Sequence, residues 1–177
     1  MMLTLGKLKY EDVSMNTQNI IIQQPQPYDL VGSDILISGI AVAFEGTLTI
    51  NVSEGHDEYS SFTTVGSLAL KQFQGHIAIP DTNTFQLNRL FLRLADDTGN
   101  ENGPAVTVPV LFGPRILPGY TGYRNYTVVA GDTLTSIAQA EYGNSDFQPI
   151  LQANSNIISD PNLIHVGQTL RIPRNDT

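Results

Sequence analysis

Within residues 54–58, Glu54-Gly55-His56-Asp57-Glu58 gathers three carboxylates and an imidazole, the residue types that bind metal ions or move protons. A second run, Asp96-Asp-Thr-Gly-Asn-Glu-Asn-Gly103, is rich in side-chain oxygens. A calcium loop needs oxygens at alternate positions and a terminal bidentate acid. The second run puts Thr98 where an acid is wanted, so its spacing fails. Both runs are instead what hairpin tips are commonly made of, and no metal is expected at either. The histidines His56, His76 and His165 lie far apart, and none stands in a catalytic motif. Nucleophile elbows, phosphate loops and metal-binding helix signatures are absent, and so is cysteine, which removes thiolate catalysis, disulfides and zinc–thiolate sites together. A non-enzymatic protein without a cofactor is expected.

The elements that must position any functional side chain fall into two sets. From Asn125 to Arg174 the order is strand, helix, helix, strand. Tyr126, Val128 and Val129 favour a strand, which Gly131-Asp132 breaks with turn chemistry. Asp132 or Thr133 can cap the next helix by accepting from its first amides. Leu134, Ile137, Ala138 and Glu141/Tyr142 then keep one apolar stripe at helical spacing. Gly143 stands where a left-handed cap is wanted. A second helix is expected from Asp146, because Pro149 then falls in its first turn. Phe147, Ile150 and Leu151 supply its buried face. A last strand, Gln168 to Ile172, turns Leu170 and Ile172 inward, and Pro173 is expected to end it. In so small a unit the stripe residues Leu134, Ile137, Ile150 and Leu151 are needed for the core.

Tyr126-Thr-Val-Val-Ala-Gly-Asp-Thr-Leu134 at the start and Gly167-Gln-Thr-Leu-Arg-Ile-Pro173 at the end make this segment resemble the lysin-motif (LysM) family over its whole length. The resemblance implies a βααβ fold with a shallow groove for N-acetylglucosamine polymers, such as peptidoglycan or chitin-like glycans. It places the sugar between two loops, Gly131, Asp132, Thr133 and Leu134 on one side, and Asp160, Pro161, Asn162, Leu163 and Ile164 on the other. Backbone groups would hydrogen-bond the acetamido group, and Leu163 with Ile164 would floor its methyl. Few contacts imply weak binding by a single module. The wording Tyr142-Gly-Asn-Ser-Asp146, Ala153-Asn154 and Asp160-Pro-Asn162 resembles a longer subtype found also in intracellular bacterial proteins and phage-tail-like machines.

Residues 18–113 read differently. Ile20–Ile22, Ile35–Phe44, Gly46–Val52, Gln74–Ile79, Leu87–Leu94 and Ala105–Leu111 are short β runs between turn residues, the pattern of a sandwich. Leu48/Ile50/Val52 alternate with Thr47/Thr49/Asn51, as in a sheet with one wet face. We read a mainly β chain of two domains: an immunoglobulin-like β-sandwich followed by the small α+β unit. Pro25, Val31-Gly-Ser33, Ile37-Ser-Gly39, Ala41-Val-Ala-Phe-Glu-Gly46 and Val108-Pro-Val110 resemble the immunoglobulin-like domain of bacterial spore germination proteins. That resemblance implies an adhesion or scaffolding role and no catalytic residue. Glu45 is expected to accept hydrogen bonds within its turn.

Residues 1–17 are expected to form a tail and 114–124 a linker, since two prolines and three glycines fall between Gly113 and Arg124. Its greasy members Ile116, Leu117, Tyr120 and Tyr123 suit a packed interface, or in the case of the tyrosines a sugar stack. The formal net charge is -8. Residues 1–114 carry five basic and twelve acidic side chains, and 115–177 four and five. No basic stripe is available for nucleic acid. No stretch has the length of a membrane span or of a signal-peptide core, so action at the cell wall would need another export route. Two functions are thus expected of different kinds. One is glycan attachment through the LysM segment, with the sandwich presented to a protein partner. The other is a docking role in a spore layer or phage-tail-like assembly.

Overall fold

The computed structural model describes residues 19–97 and 103–175. The expected tail, 1–17, and residues 98–102 of the oxygen-rich run lie outside them. The first unit is built from eight strands: β1 (Ile20–Gln24), β2 (Leu30–Val31), β3 (Asp34–Ala41), β4 (Thr47–Ser53), β5 (Glu58–Thr64), β6 (Lys71–Ala78), β7 (Arg89–Ala95) and β8 (Ala105–Phe112). They form two sheets, β1-β3-β6 and β2-β8-β7-β4-β5. All pairings are antiparallel except the short β2–β8 contact. Period-2 alternation sends Ile35 and Ile37 of one sheet inward against Leu48, Ile50, Leu90 and Leu92 of the other, each at most 2% exposed. Phe85 closes one end, edge-on to Tyr59 at 5.3 Å and to Phe112 at 5.9 Å.

Two strands were not foreseen. β5, Glu-Tyr-Ser-Ser-Phe-Thr-Thr, is mostly polar because it is the outer strand of its sheet. β2 is two residues long and is held by its parallel partner β8. The Glu45 carboxylate also departs from expectation, taking no hydrogen bond among the described residues. Its turn is set by backbone instead: Glu45 and Gly46 have φ of 55° and 69°, and Gly46 N donates to Ala43 O at 3.0 Å. Asp96 supplies the carboxylate there, accepting from Phe44 N at 2.7 Å. Gly39 is obligatory for packing, since a Cβ there would lie 2.2 Å from the Ile21 carbonyl oxygen.

The stretch 114–124, expected as a linker, contains part of a one-turn helix, α1 (Gly113–Ile116), and the start of β9 (Tyr120–Thr127). Then follow α2 (Leu134–Tyr142), α3 (Gln148–Ala153) and β10 (Thr169–Asn175), with β9 and β10 antiparallel. α2 ends on Gly143 at φ 69°, the left-handed cap its sequence called for. α3 starts two residues later than expected, at Gln148, whose amide donates to Asp146 Oδ1 at 3.0 Å. Pro173 does not end the last strand. β10 runs on to Asn175, with Pro173 opposite Tyr123, because β10 is bonded to β9 on one side only and a missing amide is tolerated on the other. Val128, Leu134, Ile137, Ala138, Ile150, Ile158, Leu170 and Ile172 form the small core.

The two units meet over a separate apolar cluster, Leu30 and Leu111 from the sandwich with Ile116 and Ala153, flanked by Tyr28 and Tyr120. Tyr120 lies flat on Gly113, where a Cβ would approach its ring to 2.4 Å, so this tyrosine is a packing residue rather than a sugar platform. Asn88 Nδ2 donates to Gln152 Oε1 at 3.1 Å across the same junction.

Candidate glycan-binding site

Antiparallel pairing fixes where the loops emerge. Thr127 stands opposite Thr169, Val128 N donates to Gln168 O at 2.9 Å, and Gly167 N donates to Val128 O at 2.8 Å. The loop leaving β9 and the loop entering β10 therefore sit side by side at one end of the ribbon.

The first loop is built around Asp132. Its Oδ2 accepts from the Tyr126 hydroxyl and from Val129 N, each at 2.8 Å, and Asp132 N donates back to Val129 O at 3.2 Å. The same hydrogen bond to Asp132 is the leading reason the Tyr126 phenol is raised above its ordinary pKa. Gly131 takes φ 91° with open space where a side chain would go. Thr133 caps α2 in a reciprocal box: its Oγ1 accepts from Ser136 N at 3.0 Å, and Ser136 Oγ accepts from Thr133 N at 2.9 Å. Leu134 is 2% exposed and belongs to the core, so its side chain presents nothing to a ligand.

In the second loop Asp160 Oδ1 accepts from Asn162 N at 2.9 Å and from Asn162 Nδ2 at 3.2 Å, while Leu163 N donates to Asp160 O at 3.0 Å. Gln168 Oε1 accepts from His165 N at 2.9 Å and steadies the return to β10. Leu163 is 58% exposed and Ile164 is half-buried against the core.

Of the nine loop residues expected here, Asp132, Thr133, Asp160 and Asn162 thus shape the loops through internal hydrogen bonds, and Pro161 is half-buried. Leu134 anchors the core, and Gly131, Leu163 and part of Ile164 form surface. Two exposed aliphatic side chains were not expected: Val129 at 56% and Val166 at 70%, one on each loop. In sequence Val129 reads as a strand former, and Val166 carries no signal of its own. The register reveals them, since Val129 follows and Val166 precedes the bonded pair Val128–Gly167. Beneath the loops the frame is tied by Arg124 of β9 to Glu141 of α2, with Nε donating to Oε2 at 3.0 Å. The Tyr142 hydroxyl donates to Pro173 O at 3.1 Å, and burial pushes that phenol well above its ordinary pKa. Asn154, wholly buried, bonds Ile150 O and both backbone groups of Arg171, each within 2.8 Å.

Among the described residues no three acid, histidine or cysteine side chains gather to hold a metal, and no helix is long and apolar enough to cross a membrane. Residues 126–173 match the model of the LysM domain, and residues 19–98 match that of the immunoglobulin-like domain of bacterial spore germination. Esterase Rv1288 of Mycobacterium tuberculosis is 47% identical over 57 residues, covering 32% of this chain and 12% of that protein. Potassium binding protein Kbp of Escherichia coli is 43% identical over 54 residues, 30% of this chain and 36% of its own length. An uncharacterized protein of Deinococcus radiodurans is 48% identical over 54 residues, 30% and 21% respectively. The chain therefore spans roughly an eighth to a third of the length of these relatives. LysM domains support binding to peptidoglycan and other N-acetylglucosamine polymers, and both kinds of module are typically non-catalytic. The chain joins an immunoglobulin-like domain of the bacterial spore germination type to a C-terminal LysM domain.

Proposed function

We propose that this protein attaches, without catalysis, to an N-acetylglucosamine polymer through the end of the β9–β10 ribbon, while the sandwich serves as an interaction module. The observation that carries this reading is the pair of adjacent loops that show aliphatic side chains, Val129, Leu163 and Val166, to solvent beside turn backbone. An acetamido group needs that combination: amides and carbonyls for its polar half and an apolar contact for its methyl. Pull-down on insoluble peptidoglycan and on chitin tests it, comparing the wild type with a variant carrying Leu163→Asp and Val166→Asp. Both positions are solvent-facing, so the variant keeps its melting temperature. Retention of the wild type and loss of the variant support the groove. Equal behaviour of the two proteins sinks it.

A second reading, a docking component of a spore layer or phage-tail-like assembly, draws on Phe44, Leu68 and Leu70, exposed by 58%, 97% and 49% near the Val42–Gly66 bridge. Failure of the wild type to bind either polymer favours it.

A further inference from the structure

The chain holds nine basic side chains against seventeen acidic ones, yet it segregates part of its positive charge at one place. Arg93 pairs with Asp97 and Arg124 with Glu141. Arg89, Arg115 and Arg171 pair with no carboxylate among the described residues, and all three gather at the junction of the two modules. A cavity of about 360 Å³ opens there, lined by Tyr28, Asn88 and Arg89 of the sandwich and by Ser155 and Asn156 of the LysM module. Arg171 donates to Tyr28 O at 2.5 Å and to Asn156 Oδ1 at 2.8 Å, so it fixes two of the lining residues and leaves its charge uncompensated. Arg115 donates to Gln86 O at 3.3 Å, on the segment that enters the cavity wall at Leu87. Arg89 itself is exposed, stands 6.0 Å from the Phe91 ring centroid, and among the described residues its fork of donors meets no acceptor. Tyr28 is held at φ 66°, a backbone conformation that side chains other than glycine seldom adopt.

We infer that this intermodule cavity is a second binding site, for an anionic substituent carried on the glycan, with Arg89 as its bidentate partner. A planar guanidinium in an otherwise acidic protein recognises carboxylate or phosphate, and the amides of Asn88 and Asn156 complete a polar lining. The site rests on the groove reading above, because the polymer held by the loops is what brings the anion to the junction. The loop from α3 to β10 carries both ends of the arrangement, Ser155 and Asn156 at the cavity and Asn162 to Ile164 at the groove. In chemical terms, the cavity distinguishes peptidoglycan, whose stem peptides end in carboxylates, from chitin, which is uncharged. A phosphodiester polymer attached to the wall offers the same anionic chemistry.

Binding isotherms of the wild type, Arg89→Gln and Arg89→Lys test this with two ligands, intact wall sacculi and a soluble oligomer of N-acetylglucosamine. Arg89→Gln should bind sacculi about tenfold more weakly, the size of one charge-assisted contact, and the oligomer as well as the wild type does. Arg89→Lys should recover part of the loss. Sacculi whose carboxylates are capped as neutral amides, with a carbodiimide and ethanolamine, should lower wild-type binding to the Arg89→Gln level if carboxylate is the ligand. Sacculi stripped of phosphodiester polymers by acid should do so if phosphate is. Equal binding of intact sacculi by wild type and Arg89→Gln overturns the inference, as does indifference to both treatments. Wild-type protein that ignores the oligomer but holds sacculi through Arg89 refutes the groove and keeps the cavity. Protein that binds neither ligand refutes both.

Discussion

The guanidinium of Arg171, in the last strand, donates to the backbone carbonyl of Tyr28, 143 positions earlier in the chain. With the Asn88–Gln152 bond and the Leu30–Leu111–Ile116–Ala153 cluster, it makes the junction a packed interface. Arg171→Met keeps most of the stem volume and removes the donors. We expect it to cost about 2 kcal/mol, typical of hydrogen bonds to a charged group. We also expect calorimetry to resolve two transitions where the wild type shows one, because the modules lose their coupling. A single transition at an unchanged temperature would show that Arg171 does not join them.

Asn154 governs the inside of the LysM unit. Its amide donates to Ile150 O and Arg171 O, and its oxygen accepts from Arg171 N, so one side chain serves as a strand partner for β10. Asn154→Ala leaves buried backbone groups unpaired and should cost roughly 3 kcal/mol. Asn154→Asp is expected to be worse, since a carboxylate cannot donate to either carbonyl. Urea unfolding measures both, and losses within 0.5 kcal/mol of the wild type, about the size of a surface substitution, would refute the role.

How far such features can be read from residues alone depends on their range. The LysM helices were legible because Leu134, Ile137 and Ala138 keep a local period and Gly143 marks the stop. Most sandwich strands were legible through alternation such as Leu48/Ile50/Val52. β5 was not, because a polar edge strand carries too little apolar pattern, and its residues resemble the turn before them. The two candidate loops were located through the family resemblance, but not the division of labour inside them. The cap was foreseen at Asp132 or Thr133 because it is a local contact, here with Ser136, whereas the exposure of Val129 and Val166 depends on the β9–β10 register, a long-range property. Asn154 and Arg171 were invisible as a pair for the same reason.

Glu54 came to notice in sequence as a possible metal ligand and proves to be a buried clamp. Its Oε2 accepts from Gln86 N at 2.7 Å and Leu87 N at 2.5 Å, its other oxygen has no hydrogen-bond partner among the described residues, and His56 Nδ1 stands 3.9 Å away. The clamp fixes the segment that continues into Asn88 and Arg89 at the junction. Glu54→Ala should therefore cost about 3 kcal/mol through two orphaned amides. Amide hydrogen exchange at Gln86 and Leu87 should rise well above that of the neighbouring strands. Unchanged protection at both amides would remove the clamp.

Tyr120 ties stability to alkaline pH. Burial at the junction, reinforced by Tyr123 and partly offset by Arg171, lifts its phenol from 10.0 to about 12. Below pH 10 the phenol is protonated in folded and unfolded chains alike, and its contribution is whole. Between about pH 10 and 12 the unfolded chain ionises while the folded one resists, so stability drains away as pH rises through that window. Tyr120→Phe keeps the packing on Gly113 and cannot ionise. Its melting temperature, compared with that of the wild type at neutral pH, should therefore gain on the wild type as pH climbs from 10 towards 12. Tyr142 is shifted in the same direction and remains in both proteins, so it cancels from the comparison. A difference in melting temperature that stays flat across the window would mean that Tyr120 ionises as freely in the fold as in water, and that the junction does not bury it.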